Sequence, residues 1–382
     1  MQCDSGGLAD TTAVIPFRHR SSGMRIMKSK NATLEDVARH AGVSYQTVSR
    51  VLNKSANVSE STRRKVEHAI ETLRYVPNRL AQQLVGKQST TLGLVTTSLA
   101  LHAPSQVAAA VKRYANAADY QVLIAMIDEN VNQSLQDCIN ELKSQRVDKV
   151  IINVPLESRD AEQIVQENDD ILCLFLDVDP YSAVFNVSFN PADGTRASVK
   201  YLYEQGHREF ALLAGPEQSV SANLRLKSWL DTLESYRLKP VSISHGNWDA
   251  QSGYNGVLQL LREAPGFSAL LVGNDQMALG VLSALHQRGV AVPGQISVIG
   301  YDDTYESAFF HPALTTVSLD LDLQGKEAVA RLLLASEQDE QRSSSILPAK
   351  LVVRSSTGMA GQQQRDLKQI AEQLRLIASR LE

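Results

Sequence analysis

The chain of 382 residues is 43% hydrophobic and 21% charged, which leaves room for two or three domains with a sizeable core and excludes a chain disordered throughout. No apolar run approaches the ~18 residues that span a bilayer, and residues 1–26 have neither the apolar stretch nor the small-residue cleavage site of a secretory signal. The net charge of −4 is the sum of a basic head (14 Lys/Arg against 7 Asp/Glu through Lys87) and an acidic remainder (24 against 35), a division that points to a nucleic-acid-binding module on a domain of its own.

Residues 1–27 read as a flexible leader, with SGG, SSG and no periodicity. Residues 28–76 read as a head of three short helices. In LEDVARHA, Leu34, Val37, Ala38 and Ala41 share one face, and Gly42 can end the helix in a left-handed cap. Ser44 caps a second helix that runs to Leu52. Val48, Val51 and Leu52 face inward there, and Tyr45, Gln46, Ser49 and Arg50 face outward. The third helix has Val58 as a staple, Ser59 as N-cap, and Val66, Ala69, Ile70 and Leu73 as its buried stripe. Two helices joined by a tight Gly-containing turn form a helix-turn-helix, and the outward ring, amide and guanidinium suit base edges in a major groove. A small packing module with a solvated face is the alternative, and the surrounding Lys54, Arg63, Arg64 and Lys65 favour DNA.

The stretch 77–89 starts with Pro77 and Asn78, can coil from Arg79 to Val85, and stops at Gly86. A helix this short does not stand alone. It is either a plain linker or a hinge that folds on DNA and inserts Leu84 as an apolar wedge in the minor groove. From Thr91 to about Thr357, strand-like runs (92–98, 121–127, 149–154, 171–178, 209–215, 268–273, 296–302) alternate with amphipathic helices such as 132–146, 194–205 and 274–288. This is the pattern of doubly wound parallel sheets, with too many units for one sheet, so two lobes with a cleft are expected. Ligands of such sheets lie beyond the carboxyl ends of the strands, which here supply Thr97, Asp177, Asn274, Asp275 and Asp302. In the tail, Leu367, Ile370, Leu374, Ile377 and Leu381 recur at spacings of 3 and 4, an a/d seam that either packs on its own body or joins copies of the chain. Cys3, Cys138 and Cys173 are odd in number, far apart and without CxxC or Cys/His spacing, so no metal centre and a reduced, cytoplasmic setting are expected.

The runs YQTVSRV, NRLAQQLVGKQS, ALHAPSQ, LFLDV, DGTR, LLAGP, SVSANLRL, NDQMALG, GYDDT and LTT closely resemble the LacI/GalR repressor family, from about Thr33 to Glu382. The resemblance implies an α/β fold: a three-helix helix-turn-helix head, a hinge helix, a two-lobed core like that of periplasmic binding proteins, and a C-terminal oligomerisation helix. The implied core spans 90–357, with lobe 1 at about 90–190 and 321–348, lobe 2 at about 191–320 and 349–357, and a linker and tetramerisation helix over 358–382. DNA contacts carry over to Tyr45, Gln46, Ser49, Arg50 and Asn53 in the head and to Asn78, Ala81, Gln82 and Leu84 in the hinge. Ligand contacts carry over to Leu101, Ala103, Pro104, Asp177, Phe189, Ser221, Arg225, Trp248, Asn274 and Asp302.

That ligand set suits a sugar. Trp248 and Phe189 offer apolar surface to a ring face, Asn274, Asp302 and Arg225 can engage adjacent hydroxyls, and Asp177 can take a hydroxymethyl group. Each also has a plain reading: Trp248 as a surface-loop ring, Asp302 as a strand-end cap, Arg225 as a helix-surface ion pair. Four positions depart from the tail-bearing member of the family: Leu319 and Leu321 for glutamine and phenylalanine, Asn223 for arginine, and Thr97 for serine. His102 and Glu306 match a pair that bridges two subunits there, and are otherwise two solvated polar side chains.

The resemblance implies a repressor of a lactose- or galactoside-type operon that binds a pseudo-palindromic operator, releases it when a β-galactoside enters the core, assembles as a dimer of dimers, and needs no cofactor and no membrane. A regulator of some other carbohydrate is the variant left open by Leu319 and Leu321. A transport-type sugar-binding protein suits the two lobes but not the head. An enzyme is disfavoured by the lack of GxGxxG after the first strand and of a GxSxG elbow.

Overall fold

The computed structural model describes residues 32–52, 57–76, 89–127, 134–335 and 343–361. The leader, Asn53, the hinge residues Asn78, Ala81, Gln82 and Leu84, and the tail positions Leu367, Ile370, Leu374, Ile377 and Leu381 lie outside the described residues. The chain divides into two units, Met1–Lys87 and Gln88–Glu382.

The first unit contains α1 (Leu34–Ala41), α2 (Tyr45–Leu52) and α3 (Glu60–Leu73). A capping box starts α1: the Asp36 amide donates to Thr33 Oγ1 at 3.2 Å and the Thr33 amide to Asp36 Oδ2 at 2.9 Å. Gly42 ends α1 at φ 66°, a left-handed conformation that glycine adopts without a Cβ clash, and this turns the chain into α2. The Thr47 amide then donates to Ser44 Oγ at 3.2 Å, so α2 begins one residue after its cap. Val37, Val48, Val66 and Ala69 are fully buried between the helices. Leu34, Ala41, Leu52, Ile70 and Leu73 are only partly covered, the most that so small a unit can do.

The second unit is two lobes. The first holds β1 (Thr91–Thr96), α4 (His102–Ala117), β2 (Gln121–Met126), α5 (Leu135–Ser144), β3 (Lys149–Asn153), α6 (Ser158–Glu167), β4 (Leu172–Phe175) and β5 (Val187–Phe189). Its sheet is parallel in the order β2-β1-β3-β4. The second lobe holds α7 (Pro191–Glu204), β6 (Phe210–Ala214), α8 (Val220–Ser235), β7 (Ser242–His245), α9 (Ala250–Glu263), β8 (Ala269–Val272), α10 (Asp275–Gln287), β9 (Ser297–Asp302), a 3-10 turn (Tyr305–Phe309) and β10 (Thr315–Ser318). The chain then returns: α11 (Leu321–Leu334) packs on α4, and β11 (Ser345–Leu347) pairs with β5. Finally β12 (Lys350–Val352) joins the second sheet, whose order is β12-β10-β9-β8-β6-β7. This last strand runs antiparallel to β10, the one departure from the all-parallel expectation among the described strands.

The backbone therefore crosses between lobes after β5, after β10 and between β11 and β12. Apolar residues cover both faces of each sheet. Leu92, Leu94, Val107 and Ala328 lie on one side of the first sheet, and Val95, Ile139 and Leu142 on the other. Such two-sided burial is why the central strands read as unbroken apolar runs.

Candidate functional site

In the head, Tyr45, Gln46 and Arg50 are exposed and Ser49 is half-buried, on the side of α2 away from the buried Val48 and Val51. Tyr45 leaves 56% of its surface in solvent, a large amphipathic ring with no core role. The residues expected to contact DNA are thus presented on one helix face, apart from Asn53, which lies outside the described residues.

In the second unit a cavity of about 1170 Å³ opens between the lobes at the carboxyl ends of the parallel strands. All ten residues carried over as ligand contacts line it: Leu101, Ala103, Pro104, Asp177, Phe189, Ser221, Arg225, Trp248, Asn274 and Asp302. Thr97, Leu319 and Leu321 line it too. The first lobe contributes mostly apolar surface, from the opening turn of α4, from Phe189 and from Leu176. The second lobe contributes Arg225 from α8, Trp248 from the loop before α9, Asn274 at the start of α10, and Asp302 at the end of β9.

Arg225 organises the polar wall. Its Nη1 donates to the Gly273 carbonyl at 2.7 Å, its Nη2 lies 3.8 Å from Asp302 Oδ1, and its guanidinium stacks 3.9 Å from the Tyr301 ring centroid. It is not the surface pair that the sequence also allowed. Asp302 is 6% exposed at φ 117°, a strained backbone for a non-glycine residue, and its Oδ1 accepts no hydrogen bond. Burial pushes its carboxyl up to about 7, against the pull of Arg225 and with a further push from Asp275. Asp177 is raised as well, by burial first, with Arg225 and Ser221 opposing. Burial also carries the Tyr301 hydroxyl up to about 12.

Trp248 is not a surface-loop ring. A Cβ on Gly215 would run into its indole, and one on Gly273 would come within 3.3 Å of it, so the ring lies over two bare glycine backbones at the ends of β6 and β8. Its own φ of 78° is a second strained position at the cavity. Asn274 lines the cavity and also holds its wall. Its Oδ1 accepts the Met277 amide at 2.9 Å as the cap of α10, and its Nδ2 donates to the Trp248 carbonyl at 3.0 Å. The side chain is largely spent on holding the wall, with one amide hydrogen left for a ligand.

The sequence did not single out Gln324, Tyr301 and Gln276, which also line the cavity, or the glycines under Trp248. Gln324 was detectable as a polar residue one turn after Leu321 on the buried side of an amphipathic helix. Gln276 Oε1 accepts the His102 amide at 3.0 Å, a hydrogen bond between the lobes at the cavity edge. Burial lowers the His102 imidazole, and the charges of Glu306 and Asp275 work against that shift. Asp275 lies behind the wall, accepting Thr316 Oγ1 at 2.6 Å, Ser307 Oγ at 2.6 Å and the Thr304 amide at 3.0 Å. Among the described residues no cluster of His, Cys, Asp or Glu has a metal-binding arrangement, and no helix is long and apolar enough to cross a membrane.

Two family patterns match the chain: bacterial regulatory proteins, lacI family, over residues 33–78, and a periplasmic binding protein-like domain over residues 199–357. The lactose operon repressor of Klebsiella pneumoniae is 46% identical over 93% of this chain and 100% of its own length. That of Escherichia coli (strain K12) is 43% identical over 92% of this chain and 99% of its own. A crystal structure of the lac repressor dimer bound to operator and the anti-inducer ONPF superposes with a TM-score of 0.81 at 44% identity, covering 86% of this chain and 100% of that one. With a helix-turn-helix head, a two-lobed core and relatives this similar along nearly all of its length, the chain belongs to the lacI family of bacterial regulatory proteins.

Proposed function

We propose that the chain is a galactoside-responsive transcriptional repressor of a lactose-type operon. The observation that carries this reading is the cavity: ten positions assigned to sugar contact from scattered sequence runs converge on one space between two lobes. The relatives named above are lactose operon repressors, and the similar lac repressor dimer is solved bound to operator. Trp248 offers a ring face, and Asp302, Arg225 and Asp177 offer the polar rim a pyranose needs. Leu101, Ala103, Pro104 and Phe189 form the apolar side, and Ser221 and the remaining Asn274 hydrogen complete the rim.

Two heads on a dimer read the two halves of a pseudo-palindromic operator, Tyr45, Gln46 and Arg50 reaching base edges and Ser49 and Asn53 supporting them. Asn78, Ala81, Gln82 and Leu84 form the hinge that folds in the minor groove. Sugar binding favours an arrangement of the lobes that the folded hinges do not tolerate, so sugar and operator weaken each other by the same factor. Tyr305 and Phe309, paired at 5.4 Å and both more than 70% exposed, offer apolar surface for self-association. The tail seam through Leu367, Ile370, Leu374, Ile377 and Leu381 joins two dimers, which lets one assembly hold two operators at high effective concentration. The protein works in the cytoplasm, without a cofactor and without turning its sugar over.

Titration with a β-galactoside, followed by tryptophan fluorescence and by release of a labelled lac-type operator, tests the reading. Trp229 is 2% exposed inside the second lobe and Trp248 lines the cavity, so the fluorescence response is expected from Trp248 and is lost in Trp248→Tyr. Operator binding that no galactoside relieves would refute the assigned inducer class.

A further inference from the structure

We propose that Gln324 gives the cavity a second polar end and makes the protein select galactosides whose aglycone carries a hydroxyl, disaccharides among them, over those with a plain alkyl aglycone. This rests on the sugar reading above and names the kind of sugar.

Gln324 is 4% exposed on α11 and lines the cavity with Leu319, Leu321, Val107 and Leu176, and the one polar neighbour that shares a partner with it, Ser188, turns its hydroxyl to the Leu176 carbonyl at 3.5 Å. Its Nε2 donates to the Val187 carbonyl at 2.9 Å and to the Leu176 carbonyl at 3.3 Å. Both partners are main-chain acceptors, so the amide has one workable orientation, and a flip would set oxygen against oxygen twice. The NH2 is therefore turned into the protein and the carbonyl oxygen away from it. Among the described residues no donor reaches Oε1. An acceptor fixed at the cavity surface is open to water in the free protein, and a ligand that covers it must bring a donor in place of that water. A hydroxyl is that donor; an alkyl group leaves the oxygen stranded.

The opposite wall, with Arg225, Asp302 and Trp248, belongs to the other lobe. A ligand with its sugar ring against that wall and a hydroxyl on Gln324 is held from both lobes. Gln324 also lies in the first turn of α11, just past the chain segment that crosses between the lobes after β10. Grip at this residue is therefore grip on the crossing, which ties recognition of the second hydroxyl to lobe arrangement.

Calorimetry on the full-length protein with propyl β-galactoside and 3-hydroxypropyl β-galactoside tests this, because the two ligands differ by one hydroxyl. The unmodified protein is expected to favour the hydroxypropyl compound about three- to tenfold, and Gln324→Leu to erase the preference. Gln324→Met, which fills the same space without the oxygen, repeats the test if Gln324→Leu folds poorly. Equal affinities in the unmodified protein, or a preference that survives in Gln324→Leu, would overturn the assignment while leaving the sugar reading intact. A residue that merely pins the two carbonyls would weaken both ligands alike in the variants. Failure of both compounds to bind a protein that still holds operator would overturn the sugar reading, and this assignment with it.

Discussion

Lowering the pH from 8 to 6 is expected to weaken sugar binding about tenfold through Asp302 alone. Burial pushes this carboxyl up to about 7, and Arg225 at 3.8 Å is too distant to bring it back. Its Oδ1 has no hydrogen-bond donor, so sugar hydroxyls supply the first. They do so best for the ionised form, of which a group titrating near 7 retains about nine-tenths at pH 8 and about one-tenth at pH 6. Stability moves the other way. A carboxyl raised above its unfolded value binds more protons folded than unfolded, so Asp302 costs stability progressively as pH rises from about 4 to about 7. Loss of sugar affinity on acidification is therefore not a by-product of acid unfolding at this residue. Calorimetry at pH 6, 7 and 8, in paired buffers of different ionisation enthalpy, reads both the affinity and the proton released on binding. Asp302→Asn is expected to bind weakly but with a flatter profile, and Asp177→Asn separates the contribution of the other raised carboxyl. An affinity unchanged between pH 6 and 8, or a profile identical in Asp302→Asn, would refute the role given to this residue.

Gly215→Ala would drive the indole of Trp248 off its seat, so sugar affinity is expected to fall at least tenfold with operator binding retained; unchanged affinity by calorimetry would show that the ring is not a platform. Gln46→Ala is expected to relax discrimination at one base pair by about 1–3 kcal/mol, read by competition among operator variants, and uniform weakening across them would make Gln46 a backbone contact. Leu84→Ala is expected to weaken operator binding with sugar affinity intact, and equal operator affinity by filter retention would remove the wedge from the hinge. Deletion of 363–382 is expected to leave a dimer that binds one operator; a tetramer in sedimentation would place assembly elsewhere.

The parts of the fold legible in the sequence were those with a local cause. Ser44 and Ser59 mark helix starts by their own side-chain chemistry, and Gly42 marks a stop. Runs such as 209–215 announce central strands because both faces are buried. The strands β5, β7, β10, β11 and β12 escaped notice because they are short or lie at edges, where SISH or TTVS has no unbroken apolar run. At the site, Asp177, Asn274 and Asp302 stand out at strand ends. Their division of labour does not, since it depends on distant partners: Asn274 is held by Trp248 and by the first turn of α10, and Arg225 by Gly273. Gln324 could be found as a polar residue at a core position, but which of its amide atoms is left for the cavity depends on carbonyls far away in the chain.

The triple crossing between lobes also bears on how the chain comes to be folded on the ribosome. The first lobe is not complete when its own strands have emerged: α11, which packs on α4 and over β4 and β5, and β11, which pairs with β5, are made only after the second lobe is built through β10. Until then α4 covers only the β1 and β2 part of that face, the apolar residues of β4 and β5 (Leu174, Val187) are bare in the nascent protein, and their closing contacts are among the most distant in sequence. The arrangement that lets two lobes share one ligand thus makes late translation, rather than the end of either lobe, the moment of greatest exposure to aggregation, and the first lobe the natural client of a holding chaperone.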